Sequence, residues 1–226
     1  MKTKILFLFL FGWMAIVFGQ GCFLNSGATV ISGTVLTTGN QNIDYINNRE
    51  FNTLLSLFPV RPNFLYLHET GSPNAFATTQ ITNTAFPDGS ILLGLNLITS
   101  ECQSSPSNTC SAIPIILAHE FGHILDFKNS LGLSGKYKEL FADFIAGSYL
   151  FHRSNTIGYL DYNEVARSFF TKGDYNFNHP DFHGTPEERL AALTSGYNLS
   201  QQYYISGQNL TLPILINAAV QRVSQF

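Results

Sequence analysis

Apolar residues change their spacing several times along the chain, and each change marks an element. Residues 5–18 form an unbroken apolar run behind Lys2 and Lys4. This is the charged-then-apolar layout of an export leader, and it is short for a membrane span. Residues 25–42 are rich in Gly, Ser and Thr and read as linker or loosely packed strand. Tyr45, Ile46, Leu54, Leu55 and Phe58 then fall on a rough helical period that Pro59 ends, which predicts a helix over 44–57. Strand-like stretches follow at 64–67, 74–77 and 90–93, parted by turn residues that include Pro87, Asp88 and Gly89. They predict a small mixed or antiparallel sheet of about three strands.

The run 113–127 is apolar apart from its His, Glu, His and Asp, and is too long for one ordinary strand. A buried helix is predicted, with Pro114 in its first turn. A second buried helix is predicted over 135–151, where Leu140, Phe141, Phe144, Ile145, Tyr149 and Leu150 recur at helical spacing. Residues 174–184 are polar, aromatic and turn-rich, and Thr185-Pro186-Glu187-Glu188 signals a helix start leading into Arg189 and Leu193. No internal repeat is present. The pattern gives an α+β class: leader over 1–21, linker or loosely packed segment over 22–43, and one domain over 44–226, with the sheet packed on the two buried helices.

Composition sharpens this outline. In 226 residues, 45% are hydrophobic and 12% charged, a globular balance that excludes disorder and coiled coil. A net charge of -3 supplies no basic stripe, so nucleic acid is excluded as a partner. The leader is expected to be cleaved near 19–21, after Val17-Phe18-Gly19; a lipidated Cys22 or a retained leader would instead tether the chain to a membrane. An exported location follows, periplasmic, envelope-attached or secreted. Cys102 and Cys110 bracket a Ser/Pro/Asn loop, where an oxidising compartment would close a disulfide and leave Cys22 odd.

Chemistry concentrates in His119-Glu120-Phe121-Gly122-His123. Two histidines four residues apart project from one helix face and can reach one ion. Glu120 lies about 100° round the helix from His119, beside the metal, where it can take a proton from water. Catalytic zinc needs three protein ligands and an open position. Glu139, on the next helix, is the best third ligand, and Asp143, four residues on, is suited to accept from a liganding histidine. Asp126 competes as third ligand, being three residues past His123, or caps its helix or pairs with Lys128.

Four separated blocks resemble the gluzincin metallopeptidases of the HtpX-like, CAAX-prenyl-protease-like family. They are Asn74-Ala75-Phe76-Ala77 with Gly89-Ser90-Ile91 and Gly94-Leu95; Leu117-Ala118 running into His119 and His123; Glu139 with Ala142-Asp143; and His183-Gly184-Thr185-Pro186-Glu187-Glu188-Arg189-Leu190. Gly184 stands where the family has proline, while His179-Pro180 lies just upstream; His183 is preferred because its distance to Arg189 matches the block. The resemblance implies a zincin-like fold and one zinc ion on His119, His123 and Glu139. It also implies that a polypeptide substrate adds to the strand Asn74, Ala75, Phe76 and Ala77, that His183 donates to the developing oxyanion, and that Arg189 orders the site.

The expected activity is zinc-dependent endopeptidase cleavage with Glu120 as general base. A zinc-containing envelope assembly or peptide-binding factor with little hydrolysis is the alternative from another class. Asp174-Tyr175-Asn176-Phe177-Asn178 has alternating oxygen ligands but lacks the glycine and distal glutamate of a calcium loop, so it reads as a solvated turn. Asn198-Leu-Ser and Asn209-Leu-Thr are glycosylation acceptors in a eukaryotic host alone.

Overall fold

A computed structural model describes residues 32–106, 109–179 and 182–226. The leader and Cys22 lie outside the described residues. Three predicted strands become four: β1 (Thr34–Val35), β2 (Asn63–Leu67), β3 (Ala75–Thr78) and β4 (Ser90–Gly94), in the order β1-β2-β4-β3. β2 runs parallel to β4, while β1 on β2 and β3 on β4 are antiparallel, so the sheet is mixed. β4 is buried along its whole length, which explains its unbroken apolar run. β1 falls within the segment read as linker; two residues leave too short a pattern to show alternation.

Seven helices complete the described chain. α1 (Gln41–Leu57) starts three residues before its predicted bound, because Asn40 caps it by accepting from the Asn42 and Ile43 amides. α2 (Leu95–Gln103) follows β4 directly, and α3 (Ala112–Asn129) is buried from Ala112 to Asp126. α4 (Lys136–Thr156), α5 (Tyr162–Thr171), α6 (Pro186–Ile205) and α7 (Leu212–Val223) follow. Thr185 and Glu188 form a reciprocal capping box at the start of α6, with Pro186 in the first turn, as the helix-start signal predicts. None of the helices among the described residues is long and apolar enough to cross a membrane.

α3 is the axis of the core. The sheet, α1, α4 and α5 all pack on it, so Ile115, Leu117, Phe121, Ile124 and Leu125 are fully buried. Each such side chain contributes about 1.5–3 kcal/mol over its exposed state. Phe51 of α1 packs against Phe121, and Glu50 of α1 accepts from the Tyr149 hydroxyl at 2.7 Å and pairs with Arg153 at 3.2 Å. These buried polar contacts join α1 to α4, which carries Glu139 and Asp143.

Candidate metal centre

Two small residues decide how close the helices come. A Cβ on Gly122 would stand 2.6 Å from the Ala142 Cα, so α3 and α4 nearly touch at that crossing. Gly122 lies between His119 and His123, and Ala142 between Glu139 and Asp143. The contact therefore turns both pairs toward one point. His119 Nε2 and His123 Nε2 are 3.1 Å apart, His119 Nε2 is 3.4 Å from Glu139 Oε2, and His123 Nε2 is 3.6 Å from Glu139 Oε1. Donors around a tetrahedral ion with bonds of about 2.0–2.2 Å stand roughly 3.3–3.6 Å apart. The three side chains thus fit one metal ion. Among the described residues they are the set of His, Cys, Asp and Glu ligand atoms gathered within 4.8 Å. Asp126 is outside it and accepts from the Leu133 amide; Lys128, its sequence-level partner, instead pairs with Asp88.

The polar neighbours prepare this set for a cation. Asp143 Oδ1 lies 2.8 Å from His119 Nδ1. A carboxylate can only accept, so the hydrogen sits on Nδ1 and the Nε2 lone pair faces the site. Arg189 Nε and Nη2 hold Asp143 in turn, at 2.7 and 2.8 Å. Burial raises the Asp143 pKa, but the Arg189 charge and hydrogen bonds outweigh it and keep the group below its ordinary value. Burial likewise opposes ionisation of Glu139, whereas His123, His119 and His183 together hold it well below the usual carboxylate range. Burial pushes His123 down to about 3, leaving a neutral imidazole with a lone pair to offer. Both Glu139 oxygens are buried with no hydrogen-bond partner, and orphaned acceptors of this kind carry a large cost that a bound cation would remove.

Glu120 is fully buried, and both its oxygens lack hydrogen-bond partners. Desolvation raises its pKa to about 8, against the lowering effect of His119 and reinforced by Glu139. It borders a cavity lined by Asn74, Ala75, Leu97, Ile116, His119, Phe169, Lys172 and Arg189. The free space is about 10 Å³, the room of one water.

Compared with known proteins, the chain matches no family model, no curated protein and no solved structure.

The structure brings His119, Glu120, His123, Glu139, Asp143 and Arg189 together. Asn74 and Ala75 border the cavity, and Ala75, Phe76 and Ala77 lie on β3, an edge strand of the sheet. His183 is buried, but it faces the carboxylate ligand, with Nδ1 3.7 Å from Glu139 Oε2, and does not line the cavity. Cys102 and Cys110 form the expected disulfide. Sequence reasoning passed over Phe169 and Lys172, which close the cavity from α5. The signal for α5 was Val165, Ser168 and Phe169 at helical spacing, all buried. Nothing in the sequence distinguishes Lys172. The Glu69 carboxylate accepts from the backbone amides of Asn74, Asn96 and Leu97, fixing the start of the edge strand against α2.

Proposed function

We propose that the protein is a zinc-dependent endopeptidase of the gluzincin type that cleaves exported or envelope polypeptides. The observation that carries this reading is the buried, unpartnered Glu120 carboxylate beside three converging metal donors, on a cavity bordered by an edge strand. His119, His123 and Glu139 would hold the ion. When bound, zinc polarises a carbonyl oxygen and makes water more acidic. Glu120 would take the proton of a water in the cavity and return it to the leaving amine. β3 is an edge strand of the sheet, and an extended substrate would add beside it as a further strand. Arg189 is assigned to holding Asp143, and His183, with Nδ1 3.7 Å from Glu139 Oε2, to the carboxylate that would hold the ion. The disulfide is in keeping with an exported chain.

Metal analysis joined to casein digestion tests this on wild type, Glu120→Gln and Glu139→Ala. Wild type is expected to hold one zinc and digest casein. Glu120→Gln should keep the metal and lose activity by about 10²- to 10⁴-fold, and Glu139→Ala should lose the metal. Full zinc occupancy in Glu139→Ala sinks the ligand set.

One observation favours the alternative of a zinc-containing assembly or peptide-binding factor: the metal site is sealed, with Glu120, His123 and Glu139 fully buried. Equal, slow digestion by wild type and Glu120→Gln, both holding zinc and binding peptide, selects that reading.

A further inference from the structure

A polypeptide cannot reach Glu120 through a cavity of about 10 Å³. Something on its border must yield. Asn74 and Ala75 stand on one side, but β3 is laddered to β4 in full register and its start is held by Glu69. Phe169 of α5 and its C-cap residue Lys172 line it too, beside Arg189. Phe169 lies edge-on to His119, ring centroids 6.1 Å apart, and covers the ligand. α5 belongs to no sheet and is only three turns long, so it depends on tertiary ties.

Those ties converge. The Glu164 carboxylate, nearly fully buried, accepts from Ser105 Oγ at 2.6 Å, Thr109 Oγ1 at 3.1 Å and the Ala112 amide at 3.4 Å. The Asp161 amide donates to Ser111 Oγ at 2.9 Å, Arg167 donates to the Ser104 carbonyl at 2.7 Å, and Lys172 pairs with Glu101. Ser104, Ser105 and Thr109 lie within the loop that the Cys102–Cys110 disulfide closes, and Glu101, Ser111 and Ala112 flank it. On its other side α5 meets α6, with Tyr162 edge-on to Tyr197 and Arg189 donating to the Lys172 carbonyl.

We propose that α5 is a gate over the candidate metal site and that its latch is the grip of Glu164 on Ser105, Thr109 and the Ala112 amide. This rests on reading the site as a metal centre that a polypeptide must enter. A buried carboxylate is tolerated only while its donors are in place; once they are lost, it gains by moving into water and takes the start of α5 with it. A dithiol reductant would act on the same device. It supplies two electrons and two protons, the Cys102–Cys110 bond breaks to two thiols, and the reductant closes to its own disulfide. The segment bearing Ser105 and Thr109 then regains conformational freedom. Displacing Phe169 and Lys172 would open a groove running beside β3, where the proposed substrate strand lies.

The test uses the full chain loaded with zinc, as oxidised wild type, dithiol-reduced wild type, Glu164→Gln and Ser105→Ala. Amide hydrogen exchange over residues 162–172 and the rate of zinc loss to a chelator are measured on each. Loss of hydrogen bonds to a buried carboxylate corresponds to about a ten- to hundredfold shift in opening. Reduction and Glu164→Gln are therefore expected to speed both readouts by that factor, with Ser105→Ala shifted less and in the same direction. Exchange in the middle of α3 and α4 should stay slow. Unchanged exchange over 162–172 with unchanged zinc loss overturns the latch, as does acceleration that spreads equally through α3 and α4. If Glu164→Gln fails to fold, reduced wild type and Ser105→Ala decide. If no variant takes up zinc, the metal-centre reading fails, and exchange over 162–172 alone decides the latch.

Discussion

His119 works through its far nitrogen. Asp143 fixes the hydrogen on Nδ1, and Arg189 fixes Asp143 through a two-point contact. Asp143→Asn presents an amide in place of the acceptor-only carboxylate, so the tautomer is no longer set. Zinc affinity is expected to fall about 10–100-fold, measured by competition with a chromogenic chelator. An unchanged affinity would make Asp143 a packing residue. Arg189→Lys keeps one charge but loses the planar fork, so it should weaken zinc in the same direction and by less. The metal pair was legible because two histidines four apart need nothing beyond a helix to face one way. Glu139 and Asp143 were legible as a second pair on one face, but their choice over Asp126 depended on family resemblance and on helices that had yet to be placed. His183 shows the limit. Its position in the chain marked it as a site residue, and only the fold shows it buried with Nδ1 3.7 Å from Glu139 Oε2.

Helix crossings hold the centre at its spacing, and glycine is required at two of them. A methyl at 122 would have to displace the α4 backbone at Ala142, prising the histidine pair from Glu139. Gly122→Ala is expected to lose most bound zinc even where the fold survives, read by metal content beside a circular dichroism spectrum. The α4–α6 crossing is closed from both sides. A Cβ on Gly196 would stand 1.9 Å from the Phe144 carbonyl oxygen, and one on Gly147 equally close to that of Leu193. Gly196→Ala should cost about 1–3 kcal/mol or more in urea unfolding, and should shift Arg189 relative to Asp143. A stability within error of wild type would show that the helices part without cost. The long helices α3 and α4 could be read because continuous burial demands continuous apolar runs. α2 escaped because it continues β4 with no polar break, and α5 and α7 because a short amphipathic turn resembles loop until something packs on its apolar side.

For the molecule as a whole, burial of charge sets a pH signature outside the candidate metal site. Asp126 is almost fully buried, and desolvation raises its pKa to about 6, against the lowering effects of the Leu133 amide and Lys138. Below the unfolded value near 3.8 the group is protonated in both states and contributes no pH dependence. As pH rises toward 6 the unfolded chain releases the proton first, so the folded state loses stability over that window. Asp126→Asn, which keeps an acceptor for the Leu133 amide, is therefore expected to be more stable than wild type at pH 7. The gain is on the order of 1–2 kcal/mol and disappears near pH 4. Urea melts at the two pH values check it, and an equal difference at both would assign the change to packing.

What the chain determined by itself was local and periodic. Helical spacing placed His119 with His123 and Glu139 with Asp143, proline and an acidic first turn started α6, and two cysteines across a polar loop announced their disulfide. Contacts between segments distant in sequence were decided only by the fold. They comprise the short strand β1, the Gly122 crossing that gathers three donors within reach of one ion, the grip of Arg189 on Asp143, and the position of α5 over the site. The physical reason is that periodicity reports which face of an element is buried. Which partner covers that face, and how closely, depends on side-chain volumes and buried hydrogen bonds that no single stretch of sequence contains.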